Sequence, residues 1–290
     1  EYCAFNDDIQ GTASVALAGV FSALRITKRP LAEQKLLFLG AGEAGIGIGD
    51  RLVAALAAEG RPEAESRQQC WYFDSKGLVV KSRTDLAEQK LPYAQDHAPV
   101  ADFLAAVEAI RPTAIIGVSG QPRTFTAPIV RAMGRLNERP IVFALSNPTS
   151  KAECTAEEAY AWSDGRAVFA SGSPFPPVTH AGKTFVPGQG NNAYIFPGIG
   201  LGVIASEARR VTDEMFMVAA RTLARLVGED DLAQGRIYPS LTRIREVSAA
   251  IGTAVAEIVY ARGLTALPRP QDLPAFIREQ MFDPTYEQYG

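Results

Sequence analysis

Short apolar runs, each closed by Gly, Asp, Asn or Ser, alternate with longer helix-patterned stretches along most of this chain. The runs at 35–39, 69–73, 113–118, 140–145 and 167–170 have strand length and predict strands. The stretches at 43–58, 100–110, 127–136 and 155–162 predict helices. Gly60 ends the first of these, and Thr155, with Glu157 and Glu158 in the first turn, caps the last. Ahead of them, 13–24 is an Ala/Val/Leu-rich run that reads as a buried helix, started at Gly11-Thr12 and ended at Lys28-Arg29-Pro30. Strands and helices in alternation with short connections imply a parallel sheet with helices on both faces. After Asn191 the character changes. Residues 193–208, 212–227 and 244–262 are helical, no convincing strand follows, and 268–274 links to a last short helix. The expected organisation is one α/β domain over residues 1–265, opened by an N-terminal helix, and a tail helix within 266–290.

Composition narrows the partners. The chain has 290 residues, 47% hydrophobic and 21% charged, enough for a large core and too apolar for disorder. Net charge is −3 and no run of Lys or Arg occurs, which argues against nucleic acid or an anionic membrane as partner. No apolar stretch is read as reaching membrane-spanning length, and no signal peptide is seen. Cys3, Cys70 and Cys154 are odd in number and far apart, which suits a reducing compartment, taken to be cytoplasmic, and argues against a zinc cluster. The chain opens on Glu1 and enters a motif almost at once, so we expect it to be cut from a longer protein.

Four polar segments carry the candidate chemistry. Gly40-Ala41-Gly42-Glu43-Ala44-Gly45 follows a strand and opens a helix, the context in which G-x-G-x-x-G binds a dinucleotide. Gly40 allows the tight turn, Gly42 lets a pyrophosphate approach, Gly45 lets helix and strand pack, and the helix start offers free N–H groups. Asp74 ends the second strand, where an acid would meet an adenosine ribose. Ser75, Lys76 and Lys90 nearby could instead hold a 2′-phosphate, so NAD and NADP both stay open. Two polar loops follow later strands: Gly117-Val118-Ser119-Gly120, whose glycines are expected to let a cofactor pass, and Ser146-Asn147-Pro148. Asn191-Asn192 stands ahead of a helix. A cap needs one Asn, which leaves Asn192 for substrate contact. Finally Phe5-Asn6-Asp7-Asp8-Ile9-Gln10-Gly11-Thr12 sets two adjacent carboxylates before the first helix. An exposed cap and a divalent-metal site are the two readings. His97 and His180 are read as loop residues, Trp71 and Trp162 as packing.

Together Phe5 to Thr12, Phe38 to Gly45, Ala144 to Thr149 and Gly188 to Tyr194 resemble the malic enzymes over almost the whole chain and in order. The resemblance implies a Rossmann-type, doubly wound, mostly parallel sheet with a helical C-terminal extension. It implies conversion of malate to pyruvate and carbon dioxide with reduction of NAD or NADP and with Mn²⁺ or Mg²⁺. It implies that Asp8 is one metal ligand and that Asp7 lies beside the metal and helps set a catalytic lysine's charge. Asn147 and Asn192 would hold malate, and Asn191 and Ser119 would lie along the nicotinamide end. Gly40, Gly42, Glu43, Ala44 and Gly45 would cradle the pyrophosphate, and Asp74 would face the ribose. Ser75, Lys76 and Lys90 look like NADP-preferring members. The family's other metal ligands, its tyrosine acid and its lysine base belong to an N-terminal half this chain does not contain. The chain alone is therefore expected to bind dinucleotide, bind metal poorly and turn over malate negligibly, and the full-length protein to be a homo-oligomer. Another Rossmann oxidoreductase, a malolactic enzyme and a non-catalytic cofactor-sensing domain remain as alternatives.

Overall fold

The computed structural model describes residues 3–283. Its main sheet is built from β1 (Leu36–Leu39), β2 (Cys70–Asp74), β3 (Gly77–Leu78), β4 (Ala114–Gly117), β5 (Ile141–Ala144) and β6 (Val168–Ser171). A separate antiparallel hairpin of β7 (Val178–His180) and β8 (Lys183–Phe185) follows, and β9 (Gly188–Gln189) completes the sheet. The spatial order is β3-β2-β1-β4-β5-β6-β9. All pairs are parallel except β2 with β3, which folds back at the edge.

Helices α1 (Thr12–Thr27), α2 (Glu43–Ala58), α3 (Glu63–Arg67), α4 (Phe103–Ile110), α5 (Ala127–Leu136), α6 (Ala156–Trp162), α7 (Phe196–Ala205), α8 (Asp213–Arg225), α9 (Glu229–Ala233), α10 (Ile244–Ala261) and α11 (Leu273–Glu279) surround it. Successive strand residues face opposite cores. Leu36, Phe38, Tyr72, Ile116 and Phe143 pack with α1, α2, α8 and α10. Leu37, Phe73, Ile115, Val142 and Phe169 pack with α4, α5 and α6. Burial on both faces is why these strands are continuous apolar runs instead of alternating ones. From β1 the chain winds outward to β2, then crosses back to β4 on the other flank of β1. The strand order reverses there, which places the binding crevice at the carboxyl ends of β1 and β4. The doubly wound, mostly parallel sheet and the helical extension after Asn191 are as anticipated.

Three expectations are corrected. A helical turn at Asp7–Gly11 runs straight into α1, and the joined segment Asp7–Thr27 is long and apolar enough to cross a membrane by length and composition. It is nonetheless a core helix, with Ala13 to Val20 buried within the fold. His180 is a strand residue of the β7–β8 hairpin, not a loop residue; only Phe185 of that hairpin is buried, so it has no apolar run to announce it. Gly117 has a different role from the one expected, described below. At the other end, Leu273 and Ile277 of α11 pack on Ala205 of α7 and Ala256 of α10. The remaining part of the predicted tail, residues 284–290, lies outside the described residues.

Candidate functional site

The turn from β1 to α2 has the shape a diphosphate requires. Gly40 has φ of +117°, and a Cβ there would lie 2.9 Å from the Val118 backbone of the β4 loop. A Cβ on Gly45 would lie 2.5 Å from the Gly40 carbonyl, so this glycine closes the helix onto the turn. Gly42 is different: a Cβ there meets nothing within 4 Å. It is exposed and extended, and no side chain caps α2. The start of α2, with Gly42 and Glu43 exposed, thus opens to space, and the N–H groups of Glu43, Ala44 and Gly45, which have no partner within the helix, and its partial positive charge make a cradle that fits a pyrophosphate.

At the end of β2, Asp74 sits at the centre of an ion-pair network. Both its oxygens accept from the Arg83 guanidinium, at 2.9 and 3.2 Å. The Lys90 ammonium donates at 2.6 Å and the Lys76 N–H at 2.9 Å. Burial pushes the Asp74 carboxyl up, but these hydrogen bonds prevail and hold it below the usual carboxylate range. The Lys76 ammonium reaches Asp85 instead, at 2.9 Å, and Arg83 also pairs with Asp85. Ser75 is exposed on the β2–β3 turn. Arg83 is thus the hub of this end. Its place nine residues beyond Asp74 gives no sign of this pairing in the sequence.

Further along the same edge, Asn147 is exposed in the loop after β5, with a cis bond to Pro148. Ser119, in the loop after β4, accepts from the Gln121 N–H at 3.2 Å. Between these loops lies a residue that sequence reasoning missed, Glu153, wholly buried and bonded to Ser146. A Cβ on Gly117 would lie 2.3 Å from the Glu153 side chain. Gly117 therefore makes room for Glu153, not for a cofactor.

The opening segment closes the far end. The Asn6 side chain caps the turn by accepting from the Ile9 N–H at 3.1 Å, and Ile9 and Ala13 pack over Gly47 of α2. Asp7 accepts from the Asn192 amide through Oδ2, while its Oδ1 is buried without a hydrogen-bond partner among the described residues. Burial and the Asp8 charge both push the Asp7 carboxyl up, opposed by Asn192. Asn191 is the cap, accepting from the Ala193 N–H at 2.8 Å. So of the two asparagines it is Asn192 that is spare, and it is tied to Asp7. Asp8 is exposed beside them. No group of three or more His, Cys, Asp or Glu among the described residues is arranged to hold a metal ion. Asp8 with the orphaned Asp7 oxygen is too small a donor set for a hard octahedral ion, which this chain by itself does not fit.

Residues 9–260 match the family model described as malic enzyme, NAD binding domain. The chain is 52% identical to an NADP-dependent malic enzyme of Vitis vinifera, over 99% of its own length and 49% of that protein's. It is equally similar to a mitochondrial NADP-dependent malic enzyme of Homo sapiens, over 100% of its length and 48% of that protein's. It spans about half the length of these relatives. Among solved structures it resembles a malic enzyme of Pyrococcus horikoshii, with a TM-score of 0.70 and 26% identity, over 96% of this chain and 59% of that one. It shares the fold of one from Entamoeba histolytica, with a TM-score of 0.77 and 24% identity, over 96% of this chain and 54% of that one. The glycine cradle, the acid at the end of β2 and the paired asparagines thus stand in a chain that belongs to the malic enzyme family, as its NAD(P)-binding domain.

Proposed function

We propose that this domain serves an enzyme that oxidatively decarboxylates malate to pyruvate and carbon dioxide, with NADP⁺ as the preferred acceptor. The observation that carries the reading is the single sheet edge on which the open Gly42 cradle, the Asp74 network, Asn147 and the Asp7–Asn192 pair all stand. A dinucleotide on this edge would place its diphosphate at Gly42, its adenosine end at Asp74 and its nicotinamide end along Ser119, Asn147 and Asn191. Bound NAD(P)⁺ supplies the hydride acceptor for oxidising an alcohol. The protein's part is orientation. Asp7 accepts from the Asn192 amide and so fixes which way that amide points, leaving its carbonyl and second N–H for a substrate hydroxyl or carboxylate. Asn147 is exposed in the loop on the same edge. Asp8 would be one ligand of a Mg²⁺ or Mn²⁺ ion whose other ligands come from outside this chain.

The charge balance at the adenosine end favours NADP⁺. Arg83, Lys76 and Lys90 are three cations and Asp74 and Asp85 two anions, which leaves one positive charge over. That surplus attracts a 2′-phosphate, which carries about −1.5 to −2 at pH 7, and does nothing for a neutral hydroxyl. Calorimetric titration of the 290-residue chain with NADP⁺ and NAD⁺ tests this. We expect NADP⁺ to bind about tenfold tighter, about 1.4 kcal/mol, within the reach of one charge-assisted contact. Lys90→Gln should erase the difference, and a preference that survives it removes Lys90 from the phosphate site. Malate-dependent NADP⁺ reduction should be negligible for this chain alone and present in the full-length protein, with pyruvate as product. Lactate would point to malolactic chemistry instead.

A further inference from the structure

Glu153 is 0% exposed, and the function proposed above makes no use of it. Its carboxylate accepts from the Ser146 hydroxyl and, at 3.3 Å, from the Ser146 N–H. The nearby backbone N–H groups of Ser119 and of Glu153 itself also favour its charged form. The Ser146 hydroxyl in turn accepts from the Gly120 N–H at 2.9 Å. The Glu153 backbone carbonyl accepts from the Phe125 N–H at 3.0 Å, which ties in the segment that leads to α5. Through Ser146 and its own carbonyl, Glu153 thus joins the loop leaving β4 to the loop leaving β5, on the edge where the strand order reverses.

Such a joint is costly to build. A carboxylate without water is unfavourable unless its lone pairs are filled, and an apolar residue would close two loops without that demand. Burial pushes the Glu153 carboxyl up, while the bonds from Ser146 and from the N–H groups oppose the rise. The space it occupies exists only because residue 117 is glycine. What the carboxylate adds over apolar packing is direction. The Ser146 hydroxyl must donate to Glu153 while it accepts from the Gly120 N–H of the other loop, so the loops can hold only one relative arrangement.

We propose that Glu153 is a positioning residue for the nicotinamide half of the dinucleotide, locking the loops after β4 and β5 so that Ser119 and Asn147 stand at a fixed spacing. Being wholly buried, it touches neither cofactor nor substrate. The inference rests on the reading that a dinucleotide lies along this edge with its adenosine end at Asp74.

The test compares two ligands on the full-length protein. NADP⁺ spans the whole edge, whereas 2′,5′-ADP reaches only the adenosine end. Glu153→Ala should weaken NADP⁺ binding by about tenfold, the scale of one lost charge-assisted hydrogen bond, and lower kcat at saturating NADP⁺. It should leave 2′,5′-ADP binding within about twofold of wild type. Glu153→Gln keeps the volume and one acceptor oxygen but sets an amide N–H₂ against donors. It should fall between, and it carries the same comparison if the alanine variant does not fold. Equal weakening of both ligands, which is general structural damage, or no change in either would overturn the proposal. Wild-type protein that binds neither ligand would overturn the reading beneath it, and the inference with it.

Discussion

Gly42 and Gly45 stand three residues apart on one turn, and an added methyl group meets opposite surroundings at the two. At Gly42 it finds open space; at Gly45 it strikes the Gly40 carbonyl at 2.5 Å. Gly42→Ala should therefore leave the melting temperature unchanged and lower dinucleotide affinity at least about tenfold, because the methyl stands where a diphosphate approaches. Gly45→Ala should cost stability first, about 1–3 kcal/mol for an overpacked contact, with the drop visible in a melt without ligand. Thermal melts with and without NADP⁺ separate the two cases. A Gly42→Ala protein that melts early, or one that binds normally, refutes the assignment. The roles of these glycines were legible because a strand, a turn and a helix follow one another with no long-range information needed. Gly117 and Glu153 were not legible. Lys151-Ala152-Glu153-Cys154 carries no pattern that marks its acid as buried, and only the fold reveals that a glycine on another strand leaves room for it.

The β2–β3 hairpin is an element held by charge as much as by its ladder. Its pairing is short, Phe73 with Leu78 and Asp74 with Gly77, and Arg83 and Lys90 converge on Asp74 from the chain beyond it. Because the folded state lowers the Asp74 carboxyl below its ordinary 3.8, the stabilisation is complete above that value and fades as pH falls through the lower folded one. The difference in melting temperature between wild type and Asp74→Asn should be full between about pH 5 and 7 and close below about pH 3.8. Asp85, which Arg83 and then Lys76 also hold low, shares Arg83 with Asp74, so the comparison is made in an Asp85→Asn background to isolate Asp74. A gap that stays constant down to low pH would show that the aspartate acts through packing. The same contrast explains which elements could be read in advance. β1, β2, β4, β5 and β6 are apolar because both faces are buried. β3, β7, β8 and β9 are two or three residues long and sit at an edge or outside the sheet, where no hydrophobic pattern is imposed.

At the scale of the whole molecule, α1 is the member that binds the two parts together. The Tyr238 hydroxyl donates to the Val15 carbonyl at 2.8 Å, and Arg25 donates to the carbonyls of Ala224 and Val227 at 2.8 and 2.7 Å. The helical extension after Asn191 is thus clamped onto the first helix of the chain, and the Asp7–Asn192 bond extends that clamp to the site. The extension was foreseen as helical, but its partner was not, since amphipathic helices announce a buried face without naming what covers it. One face of this extension is left uncovered by the described residues. Phe196, Leu201 and Ile204 of α7 lie beside Phe5, Ile244 and Phe282, with Ile204 77% and Phe282 81% exposed. Apolar surface this continuous draws copies of a chain together in water. The 290-residue chain by itself should show concentration-dependent self-association in sedimentation velocity. Ile204→Glu, which sets a charge at the most exposed position of α7, should shift the distribution toward monomer without lowering the melting temperature, because Ile204 contributes little to the core. Unchanged sedimentation in that variant would mean that this face is not what brings the copies together.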